Sequence, residues 1–178
     1  MVKKKLGLNV IFTIFLLVCL LGTADQLYQL NKINPLNQMI AHGELVKDAD
    51  YPYLNNFSIA YSEAQKNDYK HAIRAYGKLL ENAPSSNDEA KIEYNIANSL
   101  FLSGLNQKMN DDGSFSEEAL YAYIQAKIAY EQSLRIKPEQ RAAKFNLSLL
   151  DSMMSTHLKQ APQEKPAMEL SNLPVGLP

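Results

Sequence analysis

Three histidines, one cysteine and one short acidic run are the side chains of this chain that could carry catalysis or hold a metal. His42, His71 and His157 lie on three separate predicted elements. None belongs to an HExxH pair, a nucleophile elbow or a set of Cys ligands, and they read as surface helix residues. The run Asn110-Asp111-Asp112-Gly113 begins like a calcium loop, but the register fails. With Gly113 at the sixth position, Lys108 stands where the first carboxylate is needed and Ala119 where the bidentate glutamate is needed. Turn chemistry explains it better. No glycine-rich phosphate loop is present. The chain reads as a non-enzyme with no cofactor and no metal site.

Recognition is the better-supported chemistry. Phe57 and Tyr61, then Tyr94, Asn95, Asn98 and Phe101, then Phe145, Asn146 and Leu149 recur at helical spacing on three predicted helices. Aromatic side chains can grip an extended peptide by apolar contact while neighbouring amides bond its backbone. These residues are expected to line one concave, partner-binding face.

The elements that would position them are all helical. In Asn67–Pro84, the residues Asp68, Tyr69, Ala72, Ile73, Tyr76, Leu80 and Pro84 fall where a tetratricopeptide repeat places its second-helix residues. The spacing predicts a first helix over 56–65, a turn at Lys66-Asn67-Asp68 and a second helix over 69–82. Ala60 and Ala72 stand at the crossing. Tyr51-Pro52-Tyr53 reads as an extended link before it. Ser86 with Glu89 predicts a capped helix over 88–104, in which Tyr94-Asn95-Ile96-Ala97-Asn98 repeats the first-helix pattern. Ala126, Tyr130, Leu134 and Pro138 then match Ala72, Tyr76, Leu80 and Pro84, but Ala126 lies 17 residues further from Ala97 than Ala72 does from Ala60. The insert spans about 105–121. It holds the Asn-Asp-Asp-Gly turn and a second capping box, Ser114 with Glu117, ahead of a long helix over 116–136. A closing helix over 141–158 caps the array. The domain therefore runs over 55–158, followed by a Pro-rich tail, 159–178, read as disordered, whose spaced Leu and Pro residues resemble a short linear motif. A Lys-led clamp for a carboxy-terminal carboxylate is missing, because Phe57 takes its leading position.

The amino terminus sets the compartment. Lys3, Lys4 and Lys5 precede an uncharged run, Leu6 to Gly22, within an export signal read as residues 1–24. The run exceeds the length usual for a cleaved signal and reads as a retained single-pass inner-membrane anchor, with the bulk of the chain periplasmic. Cys19 sits inside it, so the exported part has no disulfide. Leu27, Leu30 and Ile33 suggest a helical stalk. Asn34-Pro35 predicts a fresh start for a half-repeat helix ending at Gly43, with Leu36, Met39 and Ile40 as its apolar stripe. Stalk and half-repeat together occupy 25–54. With 18 basic residues against 19 acidic, three of the basic ones in the anchor, the domain offers no electrostatic grip on nucleic acid.

The layout as a whole resembles the MxaK family of small repeat proteins encoded with methanol dehydrogenase. The resemblance runs over INPLNQMIAHGEL, YPYLNNFSIAYSEAQKNDYKHAIRAYGKLL, EYNIANSLFLSGL and AKIAYEQSLRIKPEQRAAKFNLSLL, about residues 25 to 155. It implies an all-α, tetratricopeptide-like accessory factor in maturation of a quinone- and calcium-containing methanol dehydrogenase, working with an AAA ATPase and von Willebrand-type proteins. It transfers no catalytic residue. Two other roles fit the same layout: an adaptor of such ATPase and von Willebrand proteins in an envelope or aerotolerance complex, and a structural subunit of an envelope-assembly machine.

Overall fold

The computed structural model describes residues 2–160, with side chains over 7–156. Among them the chain is all-helical: α1 (Val2–Ala41), α2 (Pro52–Gln65), α3 (Tyr69–Leu80), α4 (Ser86–Leu105), α5 (Glu117–Ile136) and α6 (Arg141–Gln160). The only β pairing described is one isolated antiparallel bridge, Met109 with Phe115. Two compact units divide inside α3, at Ala75 and Tyr76. The tail expected from 159 onward lies outside the described residues, except Lys159 and Gln160, which continue α6.

In the first unit α1 is one helix of 40 residues, about 60 Å long. It is long and apolar enough to cross a membrane, and none of that apolar stretch is buried within the chain. The expected restart at Asn34 does not occur, because Pro35 sits inside the helix. The proline ring removes one backbone bond and crowds the carbonyl four residues back, a cost of about 3 kcal/mol in a helix interior. The helix nonetheless continues through it to Ala41. Ile33, Leu36 and Met39 are half-buried and Ile40 is buried, so the expected stripe is present, whereas Leu27 and Leu30 are exposed. Gly43 ends the helix with φ +76°, its N–H donating to the Ile40 carbonyl while that of Glu44 donates to the Met39 carbonyl. This pair of bonds is the Schellman closure, which needs a left-handed residue at that place.

α2 starts four residues before the expected 56, with Pro52 in its first turn rather than in an extended link. Proline costs nothing there, since that N–H has no helical acceptor. Val46 N donates to Ser58 Oγ (2.9 Å), which donates onward to the Asn55 carbonyl (2.7 Å), tying the connection after α1 to α2. The turn at 66–68 forms as expected, with Asn67 at φ 64° in the glycine-like position. Asn67 N–H bonds the Ala64 carbonyl and Asp68 N–H the Glu63 carbonyl, another Schellman closure. Asp68 then caps α3, accepting from His71 N and from the His71 ring at 2.7–2.8 Å. The His71 contact holds the exposed Asp68 carboxyl below its ordinary pKa. α3 ends at Leu80, two residues short of the expected 82.

In the second unit α4 packs along α5, and α5 along α6. The contact face of α5 is a column of small side chains, Ala119, Ala122, Ala126, Ala129 and Ser133, all buried. Small side chains bring helix axes close, and Tyr123 and Tyr130 fill the space between. Phe101, Ala97, Ala143 and Leu150 complete the core. Ser133 Oγ lies 2.8 Å from the Ala90 carbonyl, and Lys137 Nζ donates to Asn87 Oδ1 at 2.6 Å, so the end of α5 is fixed to the start of α4.

Both expected capping boxes are displaced. Ser85, not Ser86, caps α4, accepting from Asp88 N at 3.1 Å. Ser116, not Ser114, caps α5, accepting from Ala119 N at 3.2 Å. Ser85→Ala should therefore lower unfolding free energy by about 1 kcal/mol, while Ser86→Ala should change it by less than half as much; urea denaturation of the two variants checks this.

Within the insert, residues 109–115 form a miniature hairpin rather than a turn alone. Asn110 N donates to the Ser114 carbonyl (2.9 Å), Asn110 Nδ2 donates to Ser114 Oγ and the Phe115 carbonyl, and Ser114 N donates to Asp112 Oδ1. Gly113, φ +79°, supplies the reversal. The hairpin delivers the Phe115 ring edge-on to Tyr123, centroids 4.8 Å apart. The insert is thereby pinned to the core of the second unit.

Candidate partner-binding surface

The residues singled out on α4 and α6 meet at one polar cluster. Tyr94 and Asn98 lie one turn apart on α4, so both point the same way, and Asn146 on α6 reaches them. Asn98 Oδ1 accepts from the Tyr130 hydroxyl at 2.6 Å and from Asn146 Nδ2 at 2.9 Å. Asn146 Nδ2 also lies 3.3 Å from the Tyr130 hydroxyl and 3.5 Å from that of Tyr94. The Tyr94 and Tyr130 rings sit against each other, centroids 6.1 Å apart. Three helices thus converge on one short network.

Tyr130 is the residue that sequence reasoning placed only as a repeat position. It is fully buried in the core cluster, and burial pushes its phenol far above the usual range, so it keeps its proton and acts as donor. A buried phenol needs a partner, and Asn98 supplies it. This fixes the orientation of both amides: the Asn98 oxygen faces the tyrosine, and the Asn146 nitrogen faces the Asn98 oxygen. The Asn98 Nδ2 donor and the Asn146 Oδ1 acceptor are left uncommitted among the described residues. One donor beside one acceptor matches the carbonyl and N–H of an extended peptide.

Apolar side chains are also exposed on α4 and α6. Phe145 is 70 % exposed, directly before Asn146, and Leu149, one turn on from Phe145, is also exposed. Leu102, one turn beyond Asn98 on α4, is exposed as well. Isolated exposed leucines are ordinary; an aromatic as open as Phe145 is of the type that anchors a partner.

Other expected members go elsewhere. Phe101 turns inward, 8 % exposed, its ring 5.9 Å from that of Tyr123, because the lengthened α5 lays Tyr123 over it. Asn95 is half-buried and spends its amide on its own helix, Nδ2 donating to the Lys91 carbonyl at 2.7 Å. Phe57 and Tyr61 are half-buried on α2 in the first unit, Phe57 with its ring 6.0 Å from Tyr53. Of the expected residues, Tyr94, Asn98 and Asn146 are brought together over Tyr130, while Phe145 and Leu149 are exposed on α6.

One carboxyl of α4 works against stability. Burial, with Glu89 one turn away, raises the pKa of Glu93 above its ordinary 4.5. The folded state holds this proton more tightly than the unfolded one. The group's contribution is therefore most favourable at low pH and is lost as pH rises through the folded value. Glu93→Gln is expected to be more stable than the parent at pH 7, by about 0.5 kcal/mol, the difference fading below pH 4.5. Thermal melts across pH 3.5–8 measure it.

Comparison with protein-family models, with curated proteins and with solved structures finds no match to this chain.

Proposed function

We propose that this chain is a non-catalytic, membrane-anchored scaffold whose α4–α6 surface holds an extended segment of a partner protein on the periplasmic side of the inner membrane. The observation that carries the reading is the Tyr94–Asn98–Tyr130–Asn146 network, which orients one amide donor and one amide acceptor, on helices that also expose Phe145. The spacing of Asp68, Tyr69, Ala72, Tyr76, Leu80 and Pro84 supports a tetratricopeptide-like arrangement, as does the full burial of Ala60 and Ala72, the small residues expected at the crossing. The apolar reach of α1, preceded by Lys3 to Lys5, supports anchoring with the basic end in the cytoplasm.

The partner suggested by the resemblance to the MxaK family is methanol dehydrogenase or its assembly proteins, an AAA ATPase and von Willebrand-type proteins among them. In this role the scaffold holds an unfinished client close to the membrane while calcium and quinone are installed, and contributes no reacting group itself. The test is methanol dehydrogenase activity, with bound calcium and quinone, in periplasm from a strain lacking this gene and from its complemented derivative. Inactive or calcium-poor enzyme restored by complementation supports the role. Normal holoenzyme in the deletion strain rules it out and favours the envelope-complex adaptor.

A further inference from the structure

The outer face of α5 leaves three large apolar side chains open to solvent. Tyr121, Ile124 and Ile128 are 65, 42 and 44 % exposed, and steps of three and four residues put them on one stripe. At about 100° per residue the stripe lies roughly 170° around α5 from Ala119, Ala126 and Tyr130 of the core. Among the described residues after α1, no other helix has three such side chains in line. α4 exposes the pair Leu102 and Leu105, and α6 the pair Phe145 and Leu149.

The size of the stripe restricts what can cover it. Glu117 bounds it at one end and Glu131 with Arg135 at the other, so it runs for seven steps, about 10 Å. Three side chains offer a few hundred Å² at most, well under the ~800 Å² per partner of a free-standing complex. A bilayer with anionic headgroups would meet the two carboxylates. A segment already tethered to the domain needs far less area, because it meets the stripe at an effective concentration on the order of 1 mM.

The chain supplies such a segment from the right place. α5 and α6 are 20 residues each, joined by the short turn 137–140, and Lys127 Nζ donates to Asp151 Oδ1 at 2.7 Å between them. The two run antiparallel, so the end of α6 at Gln160 returns to the level of the first turn of α5, one turn from Tyr121. Residues 161–178 follow. Leu173-Pro174-Val175-Gly176-Leu177 places an apolar residue at every second position, and an extended chain turns alternate side chains to one side at ~6.6 Å intervals. Leu173, Val175 and Leu177 then cover about 13 Å, which fits the length of the stripe. Pro174 biases Leu173 toward extended backbone, and its missing N–H costs nothing against a helix face that offers no free carbonyl. The thirteen steps from Gln160 to Leu173 reach up to about 43 Å, ample to pass around α5.

We propose that the segment 173–177 of this chain lies extended across Tyr121, Ile124 and Ile128, closing the outer face of α5 and leaving the α4–α6 surface to the partner. The test uses the full chain with Cys19→Ala and Val175→Cys, carrying in addition Ile124→Cys, Leu102→Cys or Leu149→Cys, under mild oxidation. The three second positions are exposed to a similar degree, 42, 41 and 42 %, so access to solvent does not favour one of them. Disulfide within one chain, read as a linked peptide from the monomer band, is expected with Ile124→Cys at no less than five times the yield with Leu102→Cys or Leu149→Cys. Equal yields at the three positions, or no link at 124, would overturn the proposal. A preference for 102 or 149 would overturn it in favour of a segment that occupies the partner surface, and links found only between chains in favour of a second copy.

Discussion

Gly104→Val is expected to lower the unfolding free energy by about 3 kcal/mol, at the upper end of what overpacking a core usually costs. A Cβ built at Gly104 would come within 2.5 Å of Tyr123 Cε1 and 2.8 Å of its Cδ1. Such a clash is mild when the obstructing side chain can swing away, and here it cannot. Tyr123 is almost fully buried, with the Phe101 ring on one contact and the Phe115 ring on another, 5.9 and 4.8 Å between centroids. Relief requires α4 and α5 to separate, which opens the alanine column behind them. Gly77→Val makes the control, since nothing lies within 4 Å of a Cβ there. Denaturant midpoints of the two variants should differ well beyond experimental error; similar midpoints would mean that Tyr123 has room to move.

Asn98→Asp is expected to weaken partner binding 10- to 100-fold while leaving the fold in place. The carboxylate still accepts from the Tyr130 hydroxyl and from Asn146 Nδ2, so the network beneath survives. What disappears is the uncommitted Nδ2 donor, replaced by an acceptor that faces the peptide carbonyl. Losing one hydrogen bond and leaving that carbonyl unpaired costs about 1.5–3 kcal/mol, which is the stated range of affinity. Asn98→Ala behaves differently. It removes the acceptor for a buried phenol and should cost stability and binding together, so complementation by the two variants separates a structural amide from a binding one.

Helical spacing alone places Tyr94 and Asn98 on one face and recurs at Phe145 and Leu149. Phe101 shares that spacing and still turned inward, since what covers it is Tyr123, carried there by an insert with no counterpart in the simple repeat. Tyr130 was visible as a repeat position, yet its hydroxyl acquires a role only when α6 brings Asn146 beside it. Two prolines make the same point about local signals. Asn34-Pro35 and Tyr51-Pro52 both look like boundaries. The second is one, with Asp50 N bonding Asp48 Oδ1 in a tight turn just before it; the first is not, and α1 runs through it. Likewise Ser85 and Ser86 each stand three residues before an acid, and the chain uses the earlier one. Each miss is a choice between two local patterns of the same kind in neighbouring residues.

The most direct test of the account is a photo-crosslinking side chain in place of Phe145, in the full anchored chain, in cells making methanol dehydrogenase. The account predicts a covalent adduct to an extended segment of the dehydrogenase or one of its assembly proteins, with the yield falling at least tenfold when Asn98→Asp is added. An adduct whose yield is indifferent to Asn98→Asp, or no protein adduct from this position, would contradict it.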